Sequence, residues 1–138
     1  MKALKFIPIL LMALALFSCE KGKNIEKNVK QTGWKAPIAA DYEYNMTYIT
    51  KVSFKKDVIN KNTNTEVAAF CGNECRGWCK LDGDGGAYLA IYSNSFSGEA
   101  IEIRVYDSEK KRIYSNCNTF VFESNGSAGS INEVIRCY

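Results

Sequence analysis

The sequence predicts an all-β fold: an antiparallel β-sandwich of about eight strands, immunoglobulin-like in general architecture. Three observations lead to this prediction. Apolar and polar residues alternate along several short segments, which is the period of a half-buried strand. Turn-forming residues recur about every eight to twelve residues, and no long segment carries a helical period. The two prolines, Pro8 and Pro37, precede all of these segments, so neither interrupts a strand.

The longest alternating segment covers Tyr42–Phe54. Its even-numbered positions are mostly aromatic or aliphatic, and its odd-numbered positions are mostly polar, with Ile49 as the exception. A period of two over this length predicts one long strand, or two strands joined by a bulge. We expect the even-numbered side chains to face the core. The polar stretch 55–65 follows as a loop.

A hairpin is predicted next, with strands Val67–Cys71 and Glu74–Lys80 around a two-residue turn at Gly72-Asn73. Regular alternation divides its side chains between two faces. One face carries Ala68, Phe70, Cys75, Gly77 and Cys79, and the other carries Cys71, Glu74, Arg76 and Trp78.

The remaining chain continues the same pattern. The glycine-rich segment Leu81–Ala87 is a turn, and further loops are expected at 94–98, 108–111 and 125–130. The predicted strands between and after these loops are Tyr88–Tyr92, Ala100–Tyr106, Arg112–Tyr114, Thr119–Glu123 and Glu133–Tyr138.

The N-terminus resembles a lipoprotein signal peptide, residues 1–18, followed by a lipidated Cys19. The apolar run Phe6–Phe17 would rise only about 18 Å as a helix, well short of the roughly 30 Å hydrocarbon core. A transmembrane anchor or an ordinary secretory signal is the alternative. The lipid would attach the protein to a membrane outside the cytoplasm, and Glu20 favours the outer over the inner membrane.

Residues 19–33 are predicted to be a lipidated cysteine with a flexible, charged tether, because this composition buries too little apolar surface to fold. A short exposed helix is the alternative. The folded domain is expected over 34–138. Loss of Lys2 and Lys5 with the signal peptide removes two of the 18 basic residues. The remaining basic residues are nearly balanced by 15 acidic residues. No basic stripe remains, which argues against nucleic acid as a partner.

Three sequence blocks resemble an extracellular module of Bacteroidota secreted and surface proteins. The blocks are DYEYNMT, VAAF-x-G-x-ECRG and IYSNS-x-SGE, in this order, within residues 34–134. The resemblance implies a β-sandwich accessory or adhesion-like domain without a known catalytic site. This chain departs from the pattern as a stand-alone lipoprotein, and it has further cysteines where the family typically shows only Cys75.

Five cysteines follow Cys19, and an oxidising compartment makes disulfides the default interpretation. The resemblance implies that Cys75 is a buried thiol outside any bridge. The pairing predicted for the others is Cys71 with Cys137 and Cys79 with Cys117. The hairpin pattern puts Cys71 and Cys75 on opposite faces, which argues against a bond between them.

Catalytic and metal sites are not predicted. The chain has no histidine, which removes Ser-His-Asp and Cys-His catalysis and any histidine ligand. The C-x3-C-x3-C spacing differs from zinc and iron–sulfur knuckles. Asp82 and Asp84 resemble the start of a calcium loop, but a third acid is missing, and a glycine-rich turn explains the same residues. We therefore expect neither enzyme activity nor a cofactor.

The predicted binding surface is Trp78 with Arg76 and Glu74, because an exposed tryptophan can stack on a sugar ring or anchor a protein. The alternative is that another sheet or the C-terminal strand covers Trp78. The chain is thus predicted to be a non-catalytic surface binding or adhesion module for a glycan or an envelope protein. A structural or assembly subunit of an outer-membrane complex is the second hypothesis. An exposed Trp78 near a groove would favour glycan binding, whereas an unpaired edge strand would favour assembly.

Overall fold

The structure is a computed structural model that describes residues 24–138. The predicted signal peptide and Cys19 lie outside the described residues. Within them, no helix is long and apolar enough to cross a membrane. One 3₁₀ turn occurs at Ala39–Asp41. The strands are β1 (Ile25–Glu26), β2 (Tyr44–Ser53), β3 (Glu66–Cys71), β4 (Glu74–Lys80), β5 (Gly86–Ser93), β6 (Ser97–Asp107), β7 (Arg112–Glu123) and β8 (Ser127–Arg136).

The strands form two sheets, which confirms the predicted all-β sandwich. The large sheet has the order β1-β7-β6-β3-β4, and the small sheet has the order β5-β2-β8. All paired strands are antiparallel except β2 and β8, which are parallel. Among residues 24–138 this pair departs from the antiparallel pattern, because the chain leaves β7 in the large sheet and enters the small sheet in the direction of β2.

The core lies between the sheets and follows the predicted alternation of β2. Met46, Tyr48, Thr50 and Val52 are all buried, as the even-numbered pattern requires. Met46, Tyr48 and Val52 share a hydrophobic cluster with side chains from the large sheet, chiefly Ile101, Ile103, Val105, Tyr114 and Phe122. Burial of these side chains is the main favourable term in folding.

The predicted strand boundaries differ most from the structure at β7 and β8. Arg112–Tyr114 and Thr119–Glu123 are parts of one strand, β7, and β8 already begins at Ser127 inside the predicted 125–130 loop. In β7 the three residues 115–117 lie opposite the single Arg104 of β6, and Asn116 has φ +54°. A bulge of this kind interrupts the alternation without ending the strand, because backbone pairing resumes on both sides.

The tether prediction is wrong for residues 24–33, which lie along the large sheet. Ile25 and Glu26 pair with β7, and the Val29 N–H donates to the Lys111 carbonyl at 2.9 Å. The Tyr106 hydroxyl donates to the Val29 carbonyl at 2.6 Å. Composition alone misses this arrangement, because backbone hydrogen bonds to an open sheet edge hold the segment rather than burial of its own apolar residues. We call residues 24–35 the N-terminal strap.

Candidate functional site

The β3–β4 hairpin turns where predicted but contains a bulge that the sequence pattern does not reveal. Phe70 lies opposite Cys75 and Cys71 opposite Glu74, which confirms the Gly72-Asn73 turn. The next pair is Ala69 with Gly77, so Arg76 is an extra residue in β4. In β4 beyond the bulge, every side chain points to the face of the sheet opposite the predicted one.

The bulge separates the predicted binding surface. Trp78 lies on the outer face of the large sheet, half-buried, and its indole Nε1–H donates to Glu66 Oε1 at 2.8 Å. The Thr32 hydroxyl, in the strap, donates to the same oxygen at 2.7 Å. The prediction that Trp78 shares a surface with Arg76 and Glu74 is wrong, and Trp78 is tied to the large sheet and the strap.

Arg76 and Glu74 belong instead to an ion-pair cluster at one end of the sandwich. Arg76 is buried, and its two Nη atoms donate to the Glu99 carboxylate at 2.8 and 3.1 Å. Its Nε donates to Glu74, and Nη1 also donates to the Tyr92 carbonyl at 3.0 Å. The cluster therefore links β4 and β6 of the large sheet to β5 of the small sheet.

The electrostatics of this cluster indicate a structural role. The Arg76 guanidinium, with a hydrogen bond from the Ser93 hydroxyl, lowers the pKa of Glu99 to about 2. The same carboxylates raise the pKa of Arg76 above its ordinary value. Because most of the guanidinium N–H groups already have partners, Arg76 has little left to offer a ligand.

The cysteines do not adopt the predicted pairing. All five cysteines in the described residues are thiols, and the sulfurs that meet are those of Cys117 and Cys137, 3.4 Å apart. The predicted Cys71–Cys137 and Cys79–Cys117 bonds are absent. The two bulges explain the difference, since one turns Cys79 toward the core and β5, and the other turns Cys117 toward the C-terminal segment.

Cys75 is a half-buried thiol on the outer face of the large sheet. Its Sγ donates to the Lys35 carbonyl at 3.5 Å and to the Gly77 carbonyl at 3.4 Å. Burial raises the pKa of the Cys75 thiol. Cys75 is thus less buried than the resemblance implies.

A groove on the outer face of the small sheet is the candidate binding site. Its volume is about 450 Å³, and it is lined by Lys51, Ile59, Lys61, Asp84, Tyr88 and Ile131. Tyr88 is 51% exposed, and Ile131 is 41% exposed. The groove thus combines an accessible aromatic ring with two ammonium groups and one carboxylate.

The glycine-rich turn before β5 builds one wall of this groove. A Cβ on Gly85 would lie 2.8 Å from the Asn60 carbonyl oxygen, so only glycine lets the 55–65 loop pack this closely. A Cβ on Gly86 would lie 2.8 Å from the Tyr88 ring. Both glycines therefore set the positions of groove-lining residues.

Asp82 holds the turn in shape. Its Oδ1 accepts the backbone N–H groups of Asp84 and Gly86, at 2.8 and 2.9 Å, and these bonds lower the pKa of Asp82. Among residues 24–138 no group of three acids or cysteines is arranged to hold a metal ion. The carboxylate that resembled a calcium ligand acts here as a turn-forming side chain.

β8 supplies the opposite rim. Gly129 lies opposite Ile49 and Val134 opposite Lys51, so the four β8 residues 130–133 lie opposite the single β2 residue Thr50. This irregularity includes Ile131, which stands at the rim. Sequence reasoning missed the groove, although one signal was available: Leu89 and Ile91 face the core, which puts Tyr88 outside.

Comparison of the chain with protein-family models, with curated proteins and with solved structures finds no match. The resemblance to the Bacteroidota module therefore stays a prediction.

Proposed function

We propose that this protein is a non-catalytic glycan-binding domain of the cell envelope, anchored through a lipid on Cys19, and that the Tyr88 groove holds the glycan. The half-exposed Tyr88 ring, standing in an open groove among polar side chains, is the observation that carries this proposal.

The chemistry of the groove suits a sugar. A pyranose ring has an apolar C–H face, which can lie against the Tyr88 ring, and hydroxyl groups around its rim. The ammonium groups of Lys51 and Lys61 can donate hydrogen bonds to these hydroxyls, and the Asp84 carboxylate can accept them. A volume of about 450 Å³ lies within the usual range of small-ligand sites.

The number of acidic residues that line the groove favours binding of a glycan without its cleavage. Glycoside hydrolysis needs two carboxyl groups about 5–9.5 Å apart, one on each side of the scissile bond. Asp84 is the one carboxylate among the lining residues of this groove in the described chain. The absence of histidine from the sequence removes the commonest alternative acid or base.

The alternative of an assembly subunit has one observation in its favour. β8 ends the small sheet, so one of its edges has no partner strand among residues 24–138. The irregularity between Gly129 and Val134 interrupts this edge, and natural proteins use such bulges to prevent strand addition. The groove is therefore the better-supported site.

The full chain should first be screened on a glycan array, and binding of each hit then measured by calorimetry for the wild type and for Tyr88→Ala. We expect Tyr88→Ala to weaken binding at least about tenfold, because the stacking surface is lost. Tyr138→Ala is the matched control, since Tyr138 is similarly exposed, at 56%, and lies outside the groove. Absence of any glycan ligand, or equal binding by both variants, would contradict the proposal.

A further inference from the structure

Two cysteines from different sheets meet at one end of the sandwich. Cys117 belongs to β7 of the large sheet, and Cys137 directly follows β8 of the small sheet. Their Sγ atoms are 3.4 Å apart. Cys137 is fully buried, whereas Cys117 is only partly buried.

The backbone holds both residues in these positions. The bulge at 115–117, with Asn116 in the left-handed region, lets Tyr114 and Cys117 both pack against the core. The Cys137 N–H donates to the Ser53 carbonyl at 2.8 Å, which continues the pairing of β8 with β2 past its last residue. The proximity of the two sulfurs is therefore set by the bulge in β7 and by backbone pairing that continues past the end of β8.

We propose that Cys117 and Cys137 form a disulfide that joins the two sheets, and that Cys71, Cys75 and Cys79 stay as thiols. A disulfide needs sulfurs about 2.05 Å apart, so the pair must close by roughly 1.4 Å, which small rotations of two side chains supply. This bond replaces both bridges predicted from the sequence.

The other three thiols each have a different environment. Cys75 is on the outer face of the large sheet, where its thiol is hydrogen-bonded to two backbone carbonyls. Cys71 lies beside the Glu99 carboxylate, and burial raises the pKa of its thiol. Cys79 packs against the core, where burial raises the pKa of its thiol to about 11. The thiolate is the attacking species in disulfide formation, so all three are slow to react.

The bond forms by thiol–disulfide exchange with an oxidised dithiol protein or oxidised glutathione. The more accessible Cys117 loses its proton and attacks the donor disulfide, releasing one donor sulfur as a thiolate. Cys137 then loses its proton, attacks the Cys117 sulfur of the mixed disulfide and releases the second donor sulfur. Two cysteine thiols are oxidised, and the donor disulfide takes up two electrons and both protons. In the cell this step relies on the proposed envelope location, because the cytoplasm keeps thiols reduced.

Peptide mapping tests the bond directly. The full chain is purified, equilibrated with oxidised glutathione, alkylated in denaturant and digested with trypsin, which cleaves after Arg112 and Arg136. We expect the peptide 113–136 to carry the mass of the dipeptide 137–138 through a bond between Cys117 and Cys137. Cys71, Cys75 and Cys79 should each carry one alkyl group. Alkylation of all five residues, or a linked peptide that contains Cys71 or Cys79, would overturn the proposal.

A thermal melt with and without reductant gives an independent measurement. Reduction should lower the Tm of the wild type and of Cys75→Ala, the matched control, but leave the Tm of Cys117→Ala unchanged. An equal response of Cys117→Ala to reductant would overturn the proposal.

The same peptide map on protein from the cell envelope separates the cysteine pairing from the envelope location. An alkylated Cys117 there, with the bond formed in vitro, contradicts the envelope location and not the pairing.

Discussion

The outer faces of the two sheets differ in what covers them. On the large sheet the strap lies across the strands, with the Trp34 ring 5.6 Å from the Phe70 ring and Thr32 bonded to Glu66. On the small sheet Tyr88 is 51% exposed in an open groove. An aromatic residue on a sheet face can contact a ligand only where the rest of the chain leaves it uncovered. Trp78 and Tyr88 differ in this respect.

The Arg76–Glu99 ion pair lies where the two sheets meet, and its loss should have the largest effect on stability. The folded-state pKa of Glu99 is about 2, below the ordinary value of 4.5, so its contribution to stability is present above about pH 5 and is lost as the pH falls toward 2. By linkage this amounts to at most about 3 kcal/mol. Denaturant unfolding at pH 7 and pH 3 measures part of this loss, because Glu99 with a pKa of about 2 is still mostly ionised at pH 3.

Glu99→Gln is the variant that isolates this pair. It should lower the free energy of unfolding at pH 7 and flatten its dependence between pH 5 and 3. Glu109→Gln is the control, because Glu109 is exposed and lies outside the pair. An unchanged pH dependence in Glu99→Gln would show that other carboxylates cause it.

Removal of the Trp34 ring, which packs the strap against the large sheet, should have the next largest effect on stability. Trp34→Ala deletes the ring that packs edge-on against Phe70, and the half-buried indole predicts a loss of about 2 kcal/mol. Hydrogen exchange should also speed up at the Val29 amide, which bonds to Lys111. Unchanged exchange there would show that the strap is held without Trp34.

A smaller effect is expected from Trp78→Phe. The substitution keeps an aromatic ring but removes the indole donor to Glu66, which predicts a loss of about 1 kcal/mol. Glycan binding should be unchanged, because Trp78 lies on the covered face. A loss of glycan affinity in this folded variant would indicate that the binding site is on the large sheet.

Tyr88→Ala should have the smallest effect on stability, under about 0.5 kcal/mol, because its ring is half-exposed on the surface. We therefore expect Tyr88→Ala to have a large effect on glycan affinity and a small effect on the free energy of unfolding. A large loss of stability, measured by denaturant unfolding, would mean that Tyr88 is a structural residue and would remove the basis for the groove.

Much of the fold could be predicted, because alternation in β2 and the Gly72-Asn73 turn are local patterns. The site could not. A single bulge residue, Arg76, reverses the faces of β4, and no residue type marks that bulge in the sequence. Docking of the strap depends on hydrogen bonds to distant strands, and the cysteine pairing depends on a second bulge in β7. Each of these errors arises where alternation or composition was extended beyond its local range.

The most direct test of the account is a chemical-shift map of the protein with a bound glycan. The two tryptophans of the chain, Trp34 and Trp78, report on the covered face through their indole N–H signals. We predict that glycan addition shifts the backbone amides of Tyr88 and Ile131 and leaves both indole signals in place. Shifted indole signals with unchanged amides at Tyr88 and Ile131 would contradict the assignment of the open face as the binding face.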